Sequence, residues 1–268
     1  MFGKNEIVGK KFFPDEDHLL VTSYFATMQG EGPFSGRRAV FLRLAKCNLA
    51  CSFCDTYFDS GDWFDLDELS TRLNGLVDDT RGWGLVVTGG EPLLQKALTR
   101  FLEREAGNWR WMQVESNGII EREIPHGTTL VISPKCVEKN GVPTKYTKPH
   151  PTNLERVDAL KFVMESIEVS PYSEVPQWAI ELGHEMALPI FVSPMNVYNY
   201  EPKRAKTSRN SNRTTIEERS TVEEVISFWE PGLLNLEANE RNHRYAAEYA
   251  IKHGLRFQVQ AHLYAGLA

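Results

Sequence analysis

Short apolar runs alternate with amphipathic stretches along most of this 268-residue chain, and this alternation restricts the fold more than any other feature. Six runs have the length and composition of strands: AVFLRLA (39–45), GLVVTGG (84–90), WMQVESN (111–117), TLVISPK (129–135), ALKFVME (159–165) and LPIFVSP (188–194). Most of them are continuously hydrophobic, which is typical of strands buried on both faces of a parallel sheet. The pattern therefore predicts an α/β fold built from repeated βα units.

Helix boundaries can be read between these strands. Asp65, followed three residues later by a glutamate, resembles a capping box at the start of a helix. Ser170, followed by a proline, is expected to open a second helix that continues to about residue 186. Ser220 is expected to cap a third helix, and Gly254 to end a helix that spans residues 239 to 253.

The remaining segments are predicted to be loops or the end of the sheet. Residues 136–152 and 199–219 are polar, with several Pro, Asn, Lys and Arg residues, and are expected to be exposed loops. The last run, RFQVQAHLY (256–264), is predicted to be a closing strand. We expect residues 1–268 to form a single domain, because this length and hydrophobic content suit one large core.

Charge and hydropathy exclude several classes of function. The formal net charge of -6 argues against general affinity for nucleic acids or membrane surfaces, which requires a basic field. There is no apolar run of membrane-spanning length, and three consecutive acidic residues, 15 to 17, stand where a secretory signal would be apolar. We expect a cytoplasmic protein that acts on a small molecule, with no nucleic-acid or membrane partner.

Three of the four cysteines lie in KCNLACSFCDT, at Cys47, Cys51 and Cys54. In a reducing compartment such a cluster indicates metal binding or redox chemistry before disulfides. A structural zinc site would need a fourth ligand that the neighbouring sequence does not offer. An iron–sulfur site with four cysteines would have to recruit Cys136, and a site with three cysteines would leave one iron open for a ligand. The spacing alone leaves these readings open.

Polar motifs follow four of the predicted strands where each strand ends. The cysteine run follows the first strand, and TGGEP (88–92), ESNG (115–118) and SPK (133–135) follow the next three. The carboxyl ends of parallel strands meet at one edge of the sheet, so these motifs should share one site. The two glycines of TGGEP would let the backbone approach a ligand closely.

The spacing C-x3-C-x2-C, with Phe53 before the last cysteine, resembles the signature of the radical S-adenosylmethionine (SAM) superfamily. The GGE that follows one βα unit later supports the same resemblance. It implies a partial, open (β/α)6-type TIM barrel with a [4Fe-4S] cluster bound by Cys47, Cys51 and Cys54. It also implies that SAM occupies the open iron and that its reductive cleavage starts radical chemistry.

The segment TMQGEGPFSGRRAVFLRLAKC (27–47), together with CDT, TGGEP and SPK, resembles the 7-carboxy-7-deazaguanine synthase family. The resemblance implies a lyase that converts 6-carboxy-5,6,7,8-tetrahydropterin to 7-carboxy-7-deazaguanine with loss of ammonia. A pterin has a guanidine-like edge and, here, a carboxylate, which suit a protein carboxylate and an arginine respectively. Residues 1–38 are expected to be a substrate-contacting segment that precedes the barrel. The implied substrate-binding residues are Met28, Gln29, Gly30, Glu31, Arg43 and Thr88.

The same resemblance assigns the cofactor contacts. Thr56, in CDT, is expected to ligate Mg²⁺, an ion that prefers hard oxygen ligands and retains much of its water. The implied SAM-binding residues are Phe53, Cys54, Asp55, Gly90, Glu91, Ser116, Ser133, Pro134 and Lys135. The family also implies a homodimer and an electron donor such as flavodoxin or ferredoxin.

The chain departs from the family pattern near its end. SPMN (193–196) stands where relatives have QPxS, and AHL (261–263) stands where they have THK. These departures put the late substrate contacts in doubt, although Gln260 and His262 remain candidates. Two other functions are compatible with the cysteines. A glycyl-radical-enzyme activase would lack the combination of QGEG with CDT, and a non-catalytic iron–sulfur sensor would not need the GGE turn.

Overall fold

A nine-stranded sheet forms the centre of the molecule. The computed structural model describes residues 7, 15–199 and 231–267. Its strands are β1 His18–Met28, β2 Arg38–Leu44, β3 Asp62–Asp65, β4 Gly84–Gly89, β5 Trp111–Ser116, β6 Thr128–Ile132, β7 Cys136–Lys139, β8 Val142–Tyr146, β9 Ala159–Met164, β10 Ile190–Pro194 and β11 Arg256–Phe257. Its helices are α1 Leu66–Asn74, α2 Leu98–Glu105, α3 Pro151–Arg156, α4 Gln177–Glu185, α5 Leu236–His253 and α6 Ala261–Ala265.

The strand order in the sheet is β11-β10-β9-β6-β5-β4-β2-β1-β3. The strands from β2 to β10 in this order are all parallel to their neighbours, as the short apolar runs predict. Strands β1 and β3 extend the open edge in antiparallel orientation. The predicted α/β class and the open sheet of six parallel strands, which corresponds to a partial barrel, are therefore confirmed.

The long strand β1 was not predicted, because residues 1–38 were treated as a segment preceding the barrel. It pairs with most of β2, from Val21 opposite Leu44 to Met28 opposite Arg38. Its turn with β2 carries the QGEG motif. The antiparallel pairing thus fixes that motif beside the first parallel strand.

Two of the helix predictions are confirmed in detail. The carboxylate of Asp65 accepts a 2.8 Å hydrogen bond from the backbone amide of Glu68 and caps α1. The long helix α5 ends at Gly254, whose φ of 67° is the left-handed conformation that favours glycine at a C′ position. Leucines of α1 and the parallel strands share one buried core, which holds the sheet rigid behind its carboxyl edge.

Three predictions were wrong. Ser170 caps only a short 3-10 helix, and α4 begins later, at Gln177. Residues 136–152 contain the β7–β8 hairpin and the start of α3 instead of an open loop. The closing strand is two residues long because α6 begins at Ala261.

Two further predictions lie largely or entirely outside the described residues, namely the loop at 199–219 and the cap at Ser220. Among the helices that the structure describes, none has the length and apolar character needed to cross a membrane.

Candidate functional site

One cavity opens at the carboxyl edge of the parallel strands, where the sequence places its polar motifs. Fourteen of the predicted site residues line it: Gln29, Glu31, Arg43, Cys47, Cys51, Phe53, Cys54, Asp55, Thr56, Thr88, Gly90, Ser116, Ser133 and Lys135. Four others do not line it: Met28, Gly30, Glu91 and Pro134. The structure therefore brings most of the predicted site together, although the residues come from segments far apart in sequence.

The three clustered thiols all line this cavity. Cys47 follows Lys46, whose φ of 75° turns the chain sharply after β2. The backbone amide of Cys54 donates to the carbonyl of Cys51 at 3.1 Å, which closes the turn between these two residues. Burial raises the pKa of the Cys51 thiol to about 11 and that of Cys54 to about 12. Deprotonation of these thiols therefore needs a compensating positive charge, such as bound iron.

The fourth cysteine lies elsewhere. Cys136 is buried beside Tyr172 and Met195 and does not line the cavity. Within the described residues, no three His, Cys, Asp or Glu side chains are arranged to ligate a single metal ion. This donor set does not match a closed structural zinc site, whereas three thiols around one cavity suit a polynuclear cluster with an open position.

The glycines of TGGEP allow close backbone contact within the protein. A Cβ on Gly90 would lie 2.1 Å from the carbonyl oxygen of Lys46, and one on Gly89 would lie 2.1 Å from that of Leu44. The backbone amide of Gly90 donates to the Leu44 carbonyl at 2.9 Å, and that of Glu91 donates to the Lys46 carbonyl at 2.8 Å. The GGE turn therefore fixes the backbone from which the cysteine run starts.

Glu91 lies behind the cavity and is fully buried. One of its oxygens accepts hydrogen bonds from the Ser116 hydroxyl at 2.7 Å and the Leu93 amide at 2.9 Å. The other accepts a hydrogen bond from the Asn117 amide at 2.7 Å. Burial raises the pKa of Glu91, and these donors oppose that rise. In this arrangement the carboxylate joins the GGE turn to the turn after β5.

A buried charge cluster, which the sequence analysis missed, lies beside QGEG. The ammonium of Lys161 in β9 donates to carboxylate oxygens of Glu31 at 3.2 Å and Glu115 at 3.0 Å. The side-chain amides of Gln29 and Gln113 donate to the other oxygen of Glu115 at 2.9 and 2.8 Å. A lysine inside the apolar run ALKFVME was the available signal, because charged residues in buried strands require a partner.

Arg43 and Thr88 are neighbours across the parallel pair formed by β2 and β4. Both side chains line the cavity. The guanidinium of Arg43 lies 5.2 Å from the ring centroid of Phe25, which supports its orientation through a cation–π contact. The register of two adjacent strands thus places a cation and a hydroxyl side by side.

The far side of the cavity carries SPK. The Lys135 ammonium donates to the Ser133 carbonyl at 2.8 Å and to the Ser133 hydroxyl at 2.5 Å. Burial lowers the pKa of Lys135, and nearby charged residues shift this pKa in both directions.

Phe53 packs edge-on against Tyr172, with ring centroids 5.1 Å apart. This contact supports the aromatic residue that precedes the last cysteine of the cluster.

The C-terminal segment packs on QGEG. The side-chain oxygen of Gln258 accepts a 2.6 Å hydrogen bond from the amide of Gly32. A Cβ on Gly30 would lie only 2.0 Å from Nδ1 of His262, so this position requires glycine while His262 keeps its place. His262 lines the cavity, as does Gln260, so both late candidates lie at the site.

SPMN, one of the two segments that depart from the family pattern, contacts Gln260, the residue directly before the other segment, AHL. The Gln260 amide nitrogen donates to Asp55 at 3.0 Å, and its oxygen accepts a 2.5 Å hydrogen bond from Asn196. Asp55 also accepts a 3.1 Å hydrogen bond from the hydroxyl of Thr56. Asn196 of SPMN and Gln260 are therefore connected to the end of the cysteine run.

Comparison with known proteins gives consistent results. Residues 43–170 match the family model described as the Radical SAM superfamily. A 7-carboxy-7-deazaguanine synthase from Rhodospirillum rubrum is 34% identical over 215 residues, which cover 72% of this chain and 82% of the relative. One from Rickettsia prowazekii is 29% identical over 261 residues, covering 94% and 90%. The crystal structure of QueE from Escherichia coli has a TM-score of 0.55 at 20% identity, covering 91% of this chain and 94% of that chain. This last likeness supports the fold.

Proposed function

Since the chain belongs to the 7-carboxy-7-deazaguanine synthase family, within the radical SAM superfamily, we propose that it converts 6-carboxy-5,6,7,8-tetrahydropterin to 7-carboxy-7-deazaguanine. Ammonia is the second product, so the enzyme is a carbon–nitrogen lyase of 7-deazapurine biosynthesis, of the queuosine type. The observation that carries the proposal is that three thiols, a carboxylate of QGEG and Arg43 share one cavity.

The residues of the cavity suit a [4Fe-4S] cluster and SAM. Cys47, Cys51 and Cys54 would bind three irons, and the absence of Cys136 from the cavity lining supports a fourth iron left for SAM. When bound, this pair supplies the one-electron chemistry that starts the reaction. The candidate SAM contacts on the cavity wall are Phe53, Asp55, Gly90, Ser116, Ser133 and Lys135.

The two ends of the pterin require different partners. Its guanidine-like edge presents N–H groups, and the Glu31 carboxylate can accept hydrogen bonds from them. The side-chain amide of Gln29 lines the cavity as well and is a second polar group for this edge. Its carboxylate requires a cation with N–H donors, and Arg43 suits this role because its guanidinium can donate two parallel hydrogen bonds. Thr88, beside Arg43 in the sheet, can donate or accept with its hydroxyl.

Magnesium is proposed to bind at Thr56. The Thr56 hydroxyl lines the cavity beside the Asp55 carboxylate, so the local donor atoms are hard oxygens. A single protein ligand is compatible with Mg²⁺, which retains several water or substrate oxygens. The ion would add positive charge next to the bound substrate and orient its oxygens.

The assembly and the electron source are also part of the proposal. We expect a homodimer in the cytoplasm that receives electrons from a flavodoxin or ferredoxin. All four cysteines are free thiols, which supports a reducing compartment.

The test is an anaerobic turnover assay. Protein reconstituted with iron and sulfide is incubated with the carboxytetrahydropterin, SAM, Mg²⁺ and a chemical reductant, and the deazapurine and ammonia are quantified. Both products are expected in equal amounts. If SAM binds but neither product forms, the proposed reaction is wrong while superfamily membership stands. The Thr56→Ala variant should lose its response to Mg²⁺, whereas Thr71→Ala, on the exposed face of α1, should retain it.

A further inference from the structure

Lys161 lies between two carboxylates at the substrate end of the cavity. Its ammonium is 3.2 Å from Glu31 and 3.0 Å from Glu115, and the three side chains are 9%, 14% and 16% exposed respectively. Lysine is almost never buried to this extent without partners. One buried ammonium therefore forms ion pairs with two carboxylates, that of Glu31 in the QGEG turn and that of Glu115 in β5.

The two carboxylates differ in their remaining capacity to bind a ligand. Glu115 accepts hydrogen bonds from Gln29 and Gln113 on one oxygen and from Lys161 on the other. The Glu31 carboxylate accepts a hydrogen bond from Lys161 and from no other described residue. Glu31 is therefore the carboxylate with an oxygen left for a ligand in the cavity, and Glu115 supports the cation that holds it.

The position of the cation determines which kind of hydrogen bond Glu31 can form. An ionised carboxylate only accepts hydrogen bonds, whereas a protonated one also donates. Without the cation the two carboxylates would repel each other, and this repulsion favours uptake of a proton by the pair. Burial opposes the charged form of Lys161, but the charges of Glu115 and Glu31 raise its pKa above the ordinary value. The triad is therefore stable as two anions and one cation.

We propose that Lys161 is a positioning residue that holds the Glu31 carboxylate so that it accepts hydrogen bonds from the N–H edge of the substrate. This inference rests on the proposed function, because it takes the substrate to present donors at that edge. It explains why β9, otherwise apolar, carries a lysine at the cavity wall. It also assigns Glu115 to the support of Lys161 and leaves substrate contact to Glu31.

Other charged groups face this triad and must be considered in any pH experiment. Lys135 of the SPK segment lies close enough to Lys161 for the charge of Lys161 to lower the pKa of Lys135. His262 lies close enough to Glu31 and Glu115 for their charges to affect it, as do those of Arg43 and Asp55. Substitution of Lys161 therefore has to be compared with a variant that restores the charge balance without adding a cation.

The test measures equilibrium binding of the carboxytetrahydropterin to reconstituted protein with SAM, by calorimetry between pH 6 and 9. Lys161→Met should weaken binding by about 30-fold or more at neutral pH, because truncation of one partner leaves a buried charge unpaired. Binding should recover as the pH rises, since the pair of carboxylates then loses the proton that it gained without the cation. A Lys161→Arg variant keeps the charge and should restore part of the affinity.

The double variant Lys161→Met/Glu115→Gln removes one cation and one anion. It should bind substrate more tightly at neutral pH than Lys161→Met alone, because the Glu31 carboxylate no longer faces the negative charge of a second carboxylate. Lys96→Met, which removes a lysine from an exposed ion pair with Glu16, is the matched control and should bind as the wild type does. Thermal unfolding of each variant shows whether it is folded.

The outcomes separate the two proposals. If the wild type neither binds nor converts the pterin, the proposed function fails. If the wild type does both, and folded Lys161→Met binds equally well or loses affinity equally at every pH, the role of Lys161 is overturned. The role of Lys161 would also be overturned if the loss of binding free energy in the double variant equalled the sum of the losses in the two single variants, since the charges would then not be coupled.

Discussion

The backbone amide of Ser52 donates a 2.9 Å hydrogen bond to the carboxylate of Glu138, which joins the cysteine turn to the β7–β8 hairpin. Ser52 lies directly after Cys51, so this bond acts next to a proposed cluster ligand. The other oxygen of Glu138 is buried without a partner among the described residues, and burial raises the pKa of this carboxyl. The hairpin therefore restrains the segment that holds the thiols.

Removal of this restraint should loosen the cluster. We expect Glu138→Ala to lose iron to a chelator about fivefold faster than the wild type after anaerobic reconstitution, because a hydrogen bond of this kind contributes roughly 1 kcal/mol. Glu138→Gln keeps an acceptor and should stay close to the wild type. Glu103→Ala, on the exposed side of α2, is the control. Equal iron release from all four proteins would show that the hairpin has no such role.

The close contact of the GGE turn with Lys46 leads to a stability prediction. Gly90→Ala would bring a Cβ against a backbone carbonyl that cannot move independently, and we expect it to reduce the free energy of unfolding by about 2 kcal/mol or more. Urea denaturation of the apoprotein measures this difference.

Gly75→Ala is the matched control for that substitution. Gly75 has helical dihedral angles at the end of α1, and an added Cβ would meet its nearest neighbour at 3.4 Å. Alanine should be neutral there or slightly stabilising. If both alanine variants unfold at the same urea concentration as the wild type, the contact at Gly90 does not constrain the turn.

The sequence predicted those strands and helix ends that depend mainly on interactions between neighbouring residues. The continuous apolar runs gave the six parallel strands, and the caps at Asp65 and Gly254 gave helix ends, because each depends on neighbouring residues. The β7–β8 hairpin also had a local signal that was overlooked. Asn140 and Gly141 have φ values of 54° and 76°, as an Asn-Gly turn between paired strands requires.

The site residues that belong to short sequence motifs could be predicted, whereas contacts between segments far apart in the sequence could not. The three clustered cysteines, Thr88, and Ser133 and Lys135 of SPK line the cavity, as the parallel-strand rule requires. The partners of Glu31 could not be deduced, because Lys161 is 130 residues away and their contact depends on the sheet order. The same holds for the contact between Gly30 and His262, which depends on how the chain end packs.

His262 should make stability depend on pH. Burial lowers the pKa of this imidazole below its ordinary value of 6.5, while the carboxylates of Glu31 and Asp55 oppose that shift. The unfolded chain therefore takes up a proton at a higher pH than the folded protein, so the free energy of unfolding decreases as the pH falls through this range. His262→Gln should flatten that decrease by up to roughly 1 kcal/mol in urea denaturation between pH 8 and 5. The exposed His126→Gln control should keep the wild-type slope, and a slope unchanged in His262→Gln would assign the pH dependence to other groups.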